Sequence, residues 1–338
     1  MNKKTKSTIY TSVLFFAPLF TIFVSLLIGR YSISPKEVLD CLLYGFGVSN
    51  QDVTKEAYTV VYNLRLPRAI GAASIGMALA VSGTAFQGVF KNPLVDSGIL
   101  GVSSGAGFGA SLAIVIFEGS KFVGVFAFLF GILAVFLSYW IAKIYKEVPV
   151  IMLILGGTVV ASIFSSLLSL LKSIADTNNE LPEIVFWLMG SVSSVTYSDF
   201  WTLIPIVIGI TILLFYRWQI NLISINDKEA RLMGIDVNKS KLLIIMSATL
   251  ATAGAVCLGG TIGWVGLIIP QMGRMIIGND NRKLLPLSIS MGATFMVIVD
   301  TISRSVSTQE IPLGVLTSLI GAPFFIVILK KTKGGGFS

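Results

Sequence analysis

Long apolar runs alternate with short polar breaks along this chain, and the runs have the length a bilayer demands. They occupy residues 9–29, 66–89, 94–117, 122–142, 150–171, 200–216, 242–258, 262–277, 284–302 and 312–329. About 20 apolar residues in a helix cross a hydrocarbon core, and a helix satisfies its own backbone where no water can. The pattern predicts an all-α, polytopic membrane protein of about ten transmembrane helices, forming a single transmembrane domain over residues 1–338. The first run follows Lys3, Lys4 and Lys6. It is too long for a signal-peptide core and no small-residue cleavage site follows, so it reads as an uncleaved first span.

The polar breaks are uneven. Residues 30–63 read as an external loop with a short interfacial helix near 36–43, opened by Ser34-Pro35. Residues 172–183 are a polar external segment, and 118–121 a short external turn. PEIVFWLMGSVSS, residues 182–194, has Pro182 at its start and Gly190 near its end. That order marks a short helix, here one dipping into the membrane, which persists only when covered by protein or lining a cavity. Residues 217–241 form the longest basic internal loop. Gly259-Gly260 turns the chain, and Pro270 interrupts the run that follows.

Composition agrees with the pattern. The chain is 54% hydrophobic and 12% charged, about half the charge of a soluble domain. The net charge of +8 points to membrane topology rather than to nucleic acid. Lys3, Lys4, Lys6, Lys91, Lys143, Lys146, Arg217, Lys228, Arg231, Lys239, Lys241, Arg282, Lys283, Lys330, Lys331 and Lys333 fall in alternate breaks. The positive-inside rule makes these breaks cytoplasmic, with both termini on the cytoplasmic side. Arg65, Arg68 and Arg304 fall on the other side and are the exceptions.

The chemistry available is narrow. Without histidine there are no imidazole metal sites, histidine triads or histidine pH switches. Cys41 and Cys257 lie far apart and read as packing residues, and no metal-ligand spacing occurs. Gly101, Gly105 and Gly109 are four apart, which lets helix backbones approach. The glycine cluster around them lacks the G-K-[ST] ending of a phosphate loop, so the chain is expected to have no ATPase site and no catalytic residues. Asp96 and Asp300 fall near span ends and read as capping or interfacial carboxylates. An ion-coupled secondary transporter, the alternative function, needs buried ionisable residues and usually a repeat. Neither is visible.

Six blocks carry a resemblance: NLRLPR at 63–68, SG-x-x-x-Q at Ser82, Gly83 and Gln87, NPLVD at 92–96, ILGVSSGAG at 99–107, GTIGWVGLIIPQMGR at 260–274, and EIPLGVLTSLIGAPFF at 310–325. They resemble the FecCD-family permeases of bacterial ABC importers for ferric siderophores, haem and vitamin B12, over nearly the whole chain. The resemblance implies the fold of a vitamin B12 importer permease, a type II ABC importer. It implies two permease subunits, the same or sister chains, surrounded by lipid and enclosing a central path. ABC ATPase subunits carrying ATP and Mg sit on the cytoplasmic side, and a substrate-binding protein sits outside. The cargo is an iron chelate or a related chelate such as haem or cobalamin, selected mostly by the binding protein.

The resemblance also implies roles. Arg65, Arg68 and Arg304 match positions that dock the binding protein, where a guanidinium fork suits carboxylates. Glu229, Ala230, Arg231 and Gly234, in E-A-x-x-x-G, match a loop that couples to the ATPase. Residues 150–171, 312–329 and 183–190 are the pore elements, with Gly101, Gly105, Gly109, Pro182 and Gly190 as pore or packing positions. The chain departs from the family pattern at Trp264, where a phenylalanine is usual, and at Gln271, where a histidine is usual.

Overall fold

The computed structural model describes residues 3–49, 53–117, 122–143, 150–307 and 309–331. Among them every regular element is a helix. In chain order these are α1 (Lys3–Leu27), α2 (Pro35–Gly45), α3 (Lys55–Tyr58), a π-helical stretch (Thr59–Arg65), α4 (Leu66–Phe90), α5 (Val102–Phe117) and α6 (Val123–Ala142). There follow α7 (Val150–Ile174), α8 (Glu180–Met189), a 3-10 turn (Tyr197–Thr202), α9 (Leu203–Phe215), α10 (Arg217–Ile225) and α11 (Asp227–Leu232). The chain closes with α12 (Val237–Gly259), α13 (Val265–Ile277), α14 (Asn281–Val306) and α15 (Leu313–Lys331).

Among the described residues six helices are long and apolar enough to cross a membrane: Lys55–Phe90, Val123–Ala142, Val150–Ile174, Tyr197–Phe215, Val237–Gly259 and Asn281–Val306. Shorter apolar helices at Phe16–Leu27, Val102–Phe117, Val265–Ile277 and Leu313–Val327 occupy the remaining predicted runs. The expected turn at 118–121, and Lys146 and Lys333 of the charge pattern, lie outside the described residues.

Local chemistry sets the boundaries. Ser34 Oγ accepts from Glu37 N at 3.2 Å and Glu37 Oε2 accepts from Ser34 N at 2.8 Å. This reciprocal cap, with Pro35 in the first turn, starts the expected interfacial helix. Asn226, Asp236 and Asp280 cap α11, α12 and α14 through their side chains. One boundary departs from expectation. The external loop assigned to residues 30–63 is helical from Lys55 onward and runs into α4. Asn63, Arg65 and Arg68 give this stretch a loop-like polarity in sequence, yet both arginines are satisfied inside the protein, so nothing forces the helix to stop.

That helix is the centre of the molecule. In its most apolar window 89% of residues are buried, against 22% for the helix ending at Phe215. Helices α1, α12, α13 and α14 pack around α4, while α6, α7 and α9 lie at the periphery with large apolar side chains exposed. Surrounding a helix on all sides needs small side chains. A Cβ on Gly76 would strike the carbonyl of Gly292, and one on Gly83 the carbonyl of Gly266. Close backbone approach of this kind supplies the dispersion that holds membrane helices together. Gly83→Val should therefore lose at least about 1–3 kcal/mol through overpacking, seen as a lower thermal midpoint in detergent. Gly263→Ala, at a position where a Cβ meets nothing within 4 Å, should leave that midpoint unchanged.

Candidate functional site

The structure gathers the sequence-predicted residues at the two ends of α4 and at a junction beside it. At the first end Arg65, Arg68 and Arg304 cluster as expected, but they are only 6%, 9% and 8% exposed. Arg65 donates to the carbonyls of Leu26 at 2.6 Å and Tyr31 at 2.7 Å, fastening α4 to the end of α1. Arg68 donates from Nε to Asp300 Oδ1 at 2.8 Å and from Nη1 to Glu310 Oε1 at 2.7 Å. Arg304 donates to the carbonyl of Ser25, and to its hydroxyl at 3.0 Å. Its Nε lies 3.8 Å from Asp300 Oδ2.

Three expectations change here. The arginine side chains do not form an exposed patch in this chain, because each is buried and donates to groups within it. Asp300 is not an interfacial or capping carboxylate: it is 1% exposed and sits between two guanidinium groups. Asp96 lies in the connection between α4 and α5, where it caps no helix and accepts from Gly98 N at 2.9 Å in a turn. The signal that could have found Asp300 is its i,i+4 spacing to Arg304 on one helix. Glu310, at the chain's approach to α15, was missed because nothing in the sequence places it against Arg68.

The junction joins α8, α12 and α15. Gly190 ends α8 with φ 74°, a backbone region that favours glycine. Its carbonyl accepts from Leu313 N at 2.9 Å, and Ser191 N donates to the Gly259 carbonyl at 2.9 Å. Thr261 Oγ1 donates to the Leu188 carbonyl. Pro182 lies in the first turn of α8, as expected. An open cleft of about 440 Å³ runs along this junction, lined by Leu188, Met189, Thr261, Gly314, Ser318 and Leu319 among others and free of charged side chains. Trp264 sits at φ 70°, unusual for a bulky residue, and its ring packs edge-on to Phe325 of α15. Gly105 and Gly109 have packing roles: a Cβ on either would strike a carbonyl of α6, at Phe130 and Phe126. Gly101, with φ 84°, starts α5 against α7.

Helix α7 carries a feature missing from the sequence reading. Thr158, Ser162, Ser165, Ser169 and Ser173 are all exposed, and their spacing puts them along one stripe of the helix. Four of these hydroxyls donate to carbonyls of their own helix: Thr158 to Ile154 at 3.0 Å, Ser162 to Thr158 at 2.9 Å, Ser169 to Ser165 at 2.9 Å and Ser173 to Leu170 at 2.7 Å. The stripe is mildly polar and uncharged. The i, i+4 spacing was visible in sequence, though not which face would be left uncovered.

At the other end of α4 three sequence blocks converge. Gln87 Nε2 donates to the Val95 carbonyl at 3.0 Å and the Gly266 carbonyl at 3.3 Å, while its Oε1 accepts from Arg274. Gln271 reaches the Pro93 carbonyl at 3.5 Å. Beyond this cluster, the expected internal loop at 217–241 is two short helices and the start of α12. Ala230 is fully buried, Glu229 and Arg231 are exposed, and Gly234 turns the chain with φ 81°. Leu232 and Met233, which the motif does not single out, are 88% and 61% exposed. Asp227 binds Lys91 and Lys241. Burial works against its charge, but the hydrogen bonds from the two lysines outweigh that and hold its carboxyl below the usual aspartate value.

The sequence model of the FecCD transport family matches residues 17–331. The molybdate import system permease protein MolB of Haemophilus influenzae is 40% identical over 321 residues, covering 94% of each chain. The cobalamin import system permease protein BtuC of Halobacterium salinarum is 37% identical over 284 residues, 83% of this chain and 76% of that one. A solved inward-facing ABC transporter of metal-chelate type superposes with a TM-score of 0.83 at 38% identity, covering 96% of this chain and 99% of its own.

The buried charge cluster can be tested directly. Arg68→Gln strands Asp300 and Glu310, and removing one partner of a buried pair costs about 3–5 kcal/mol. The change Arg68→Met combined with Asp300→Leu and Glu310→Gln removes the pair and its second carboxylate together and should retain more stability than Arg68→Gln alone. Chemical denaturation in detergent measures the order, and the reverse order would show that the pair is not the determinant.

Proposed function

The chain belongs to the FecCD transport family, and on that premise we propose that it is the membrane-spanning permease subunit of an ATP-driven importer that carries an iron chelate or a related metal chelate inward. The observation that carries this reading is the superposition over 96% of the chain on the metal-chelate type transporter. The uncharged cleft at the α8–α15 junction and the hydroxyl stripe of α7 support it, since they suit passage of a bulky chelate without tight binding. In this reading a second permease chain, identical or sister, closes the path opposite these surfaces. The chain sits in the bacterial cytoplasmic membrane with both termini in the cytoplasm.

The end of the chain framed by Arg65, Arg68 and Arg304 receives the substrate-binding protein. There the arginines set the relative positions of α1, α4 and α14 and so the shape of the docking face. The opposite end meets the ABC ATPase, which holds ATP and Mg. Its contact is the α11 tip, where Leu232 and Met233 supply the apolar knob and Glu229, Arg231 and Gly234 the rim and turn. A molybdate path is the second reading, favoured by the name of the 40%-identical relative. The ion-coupled alternative loses its best candidate residue, because Asp300 is engaged by Arg68.

Two measurements check this function. Titrating the cognate binding protein with ferric siderophores, haem, cobalamin and molybdate should give tight binding of a metal chelate, and selective binding of molybdate would instead favour the second reading. Leu232→Glu combined with Met233→Glu should weaken capture of the ATPase by the solubilised permease by at least tenfold, since buried apolar anchors at interfaces contribute about 2 kcal/mol or more each. Unchanged capture would remove the tip from the interface.

A further inference from the structure

The coupling segment is not a loop hung between two spans. Asp227, in the first turn of α11, accepts from Lys91 Nζ at 2.9 Å on one carboxylate oxygen and from Lys241 Nζ on the other. Lys91 is the residue that ends α4, held in the left-handed region with φ 51°. Lys241 lies in the second turn of α12 and is largely buried. One carboxylate therefore joins three elements. Behind it, Ile220 and Ile223 of α10 are fully buried, and a Cβ on Gly88 of α4 would come within 2.7 Å of Ile220. On the α14 side, Asn281 N donates to Asn221 Oδ1 at 2.9 Å. The inward surface of the segment is anchored, and its tip at Leu232 and Met233 projects.

Lys91 and Arg68 stand at opposite ends of α4. A helix rises about 1.5 Å per residue, so roughly 35 Å separates them. At the far end Arg68 holds Asp300 and Glu310, next to the start of α15.

We propose that Asp227 is a positioning residue: it locks α10–α11 onto α4 and α12, so that displacement of the tip is delivered to α4 as a rigid movement instead of being absorbed in the segment. This rests on the reading of that tip as the ATPase contact. Asp227 touches neither nucleotide nor cargo. Its two lysines repel each other once its charge is removed, so neutralising it releases the clamp while the buried isoleucines keep the segment folded.

The test uses the full chain, alone and assembled with its ATPase and binding protein. In the solubilised chain, Asp227→Asn should speed backbone amide exchange across residues 228–233 about fivefold, the scale on which a partly exposed ion pair shifts a local opening equilibrium. Exchange in α4 should not change. Asp227→Lys should exchange faster still, and adding Lys91→Glu and Lys241→Glu to it should restore slow exchange. In the assembled transporter Asp227→Asn should retain the ATPase while moving several-fold less cargo per ATP hydrolysed. Wild-type exchange rates in Asp227→Asn, or no rescue by the triple reversal, would overturn the clamp. Faster exchange with normal cargo per ATP would overturn the rigid delivery. Failure of the wild-type chain to capture any ABC ATPase would sink the function on which the delivery depends, while the exchange result would still decide the clamp.

Discussion

Helix α4 is buried along its length, and the rest of the structure is arranged around that constraint. A helix with neighbours on every side has to be narrow where it crosses them, hence Gly76 against Gly292 and Gly83 against Gly266. It must also settle every polar group within the protein, because the surroundings offer no water to do so. Ser82 donates to the Ala248 carbonyl at 2.9 Å and Thr84 to Ser288 at 2.8 Å, which ties α4 to α12 and α14. The charged residues at its ends follow the same logic, with Arg68 on Asp300 and Glu310 and Lys91 on Asp227. Central packing and polar satisfaction thus select the same residues that stand out as motifs.

The surfaces to which the proposed function assigns the path and the ATPase contact are ones this packing leaves uncovered. The α7 hydroxyl stripe, the cleft of α8 and α15, and the tip at Leu232 and Met233 are attached to elements whose other faces are fixed. Leu313 N donates to the Gly190 carbonyl and Ser191 N to the Gly259 carbonyl, so the junction beside the cleft is held together by main chain. A wall of this kind carries little charge and few strong contacts, in keeping with a passage that releases what enters it. FecCD membership is consistent with a division of labour in which selection and energy come from other subunits.

Much of the fold is legible in the sequence because hydropathy reports it directly: each of the ten apolar runs contains a helix, although the run at 94–117 becomes helical only from Val102, and the short element at Pro182–Gly190 is marked by its own end residues. The stretch from Lys55 to Asn63 is misread as loop, since its polarity is judged without the partners that satisfy it. Arg65, Arg68 and Arg304 are correctly grouped, but charge alone puts such residues at a surface, and only the fold supplies Leu26, Tyr31, Ser25 and Asp300 as partners. Gln87, Pro93, Val95, Gly266 and Arg274 lie in three separate blocks whose convergence no local pattern reveals. The coupling motif points to Glu229, Ala230 and Gly234. Its neighbours Leu232 and Met233 are left as exposed apolar side chains, because Ala230 is the position that turns inward.

If the coupling segment, α4 and the charge cluster beyond it move as one body, the distance between their extremities is fixed through the transport cycle. Leu64 and Leu232 are exposed at opposite ends of that body. Spin labels at Leu64→Cys and Leu232→Cys, with Cys41 and Cys257 replaced by serine, report the distance in the assembled transporter with and without ATP. A shift below about 2 Å between the two conditions is the expected result, while a label pair from Leu232→Cys to Ile163→Cys on α7 changes by more. A shift of about 5 Å or more between positions 64 and 232 would contradict a single rigid body.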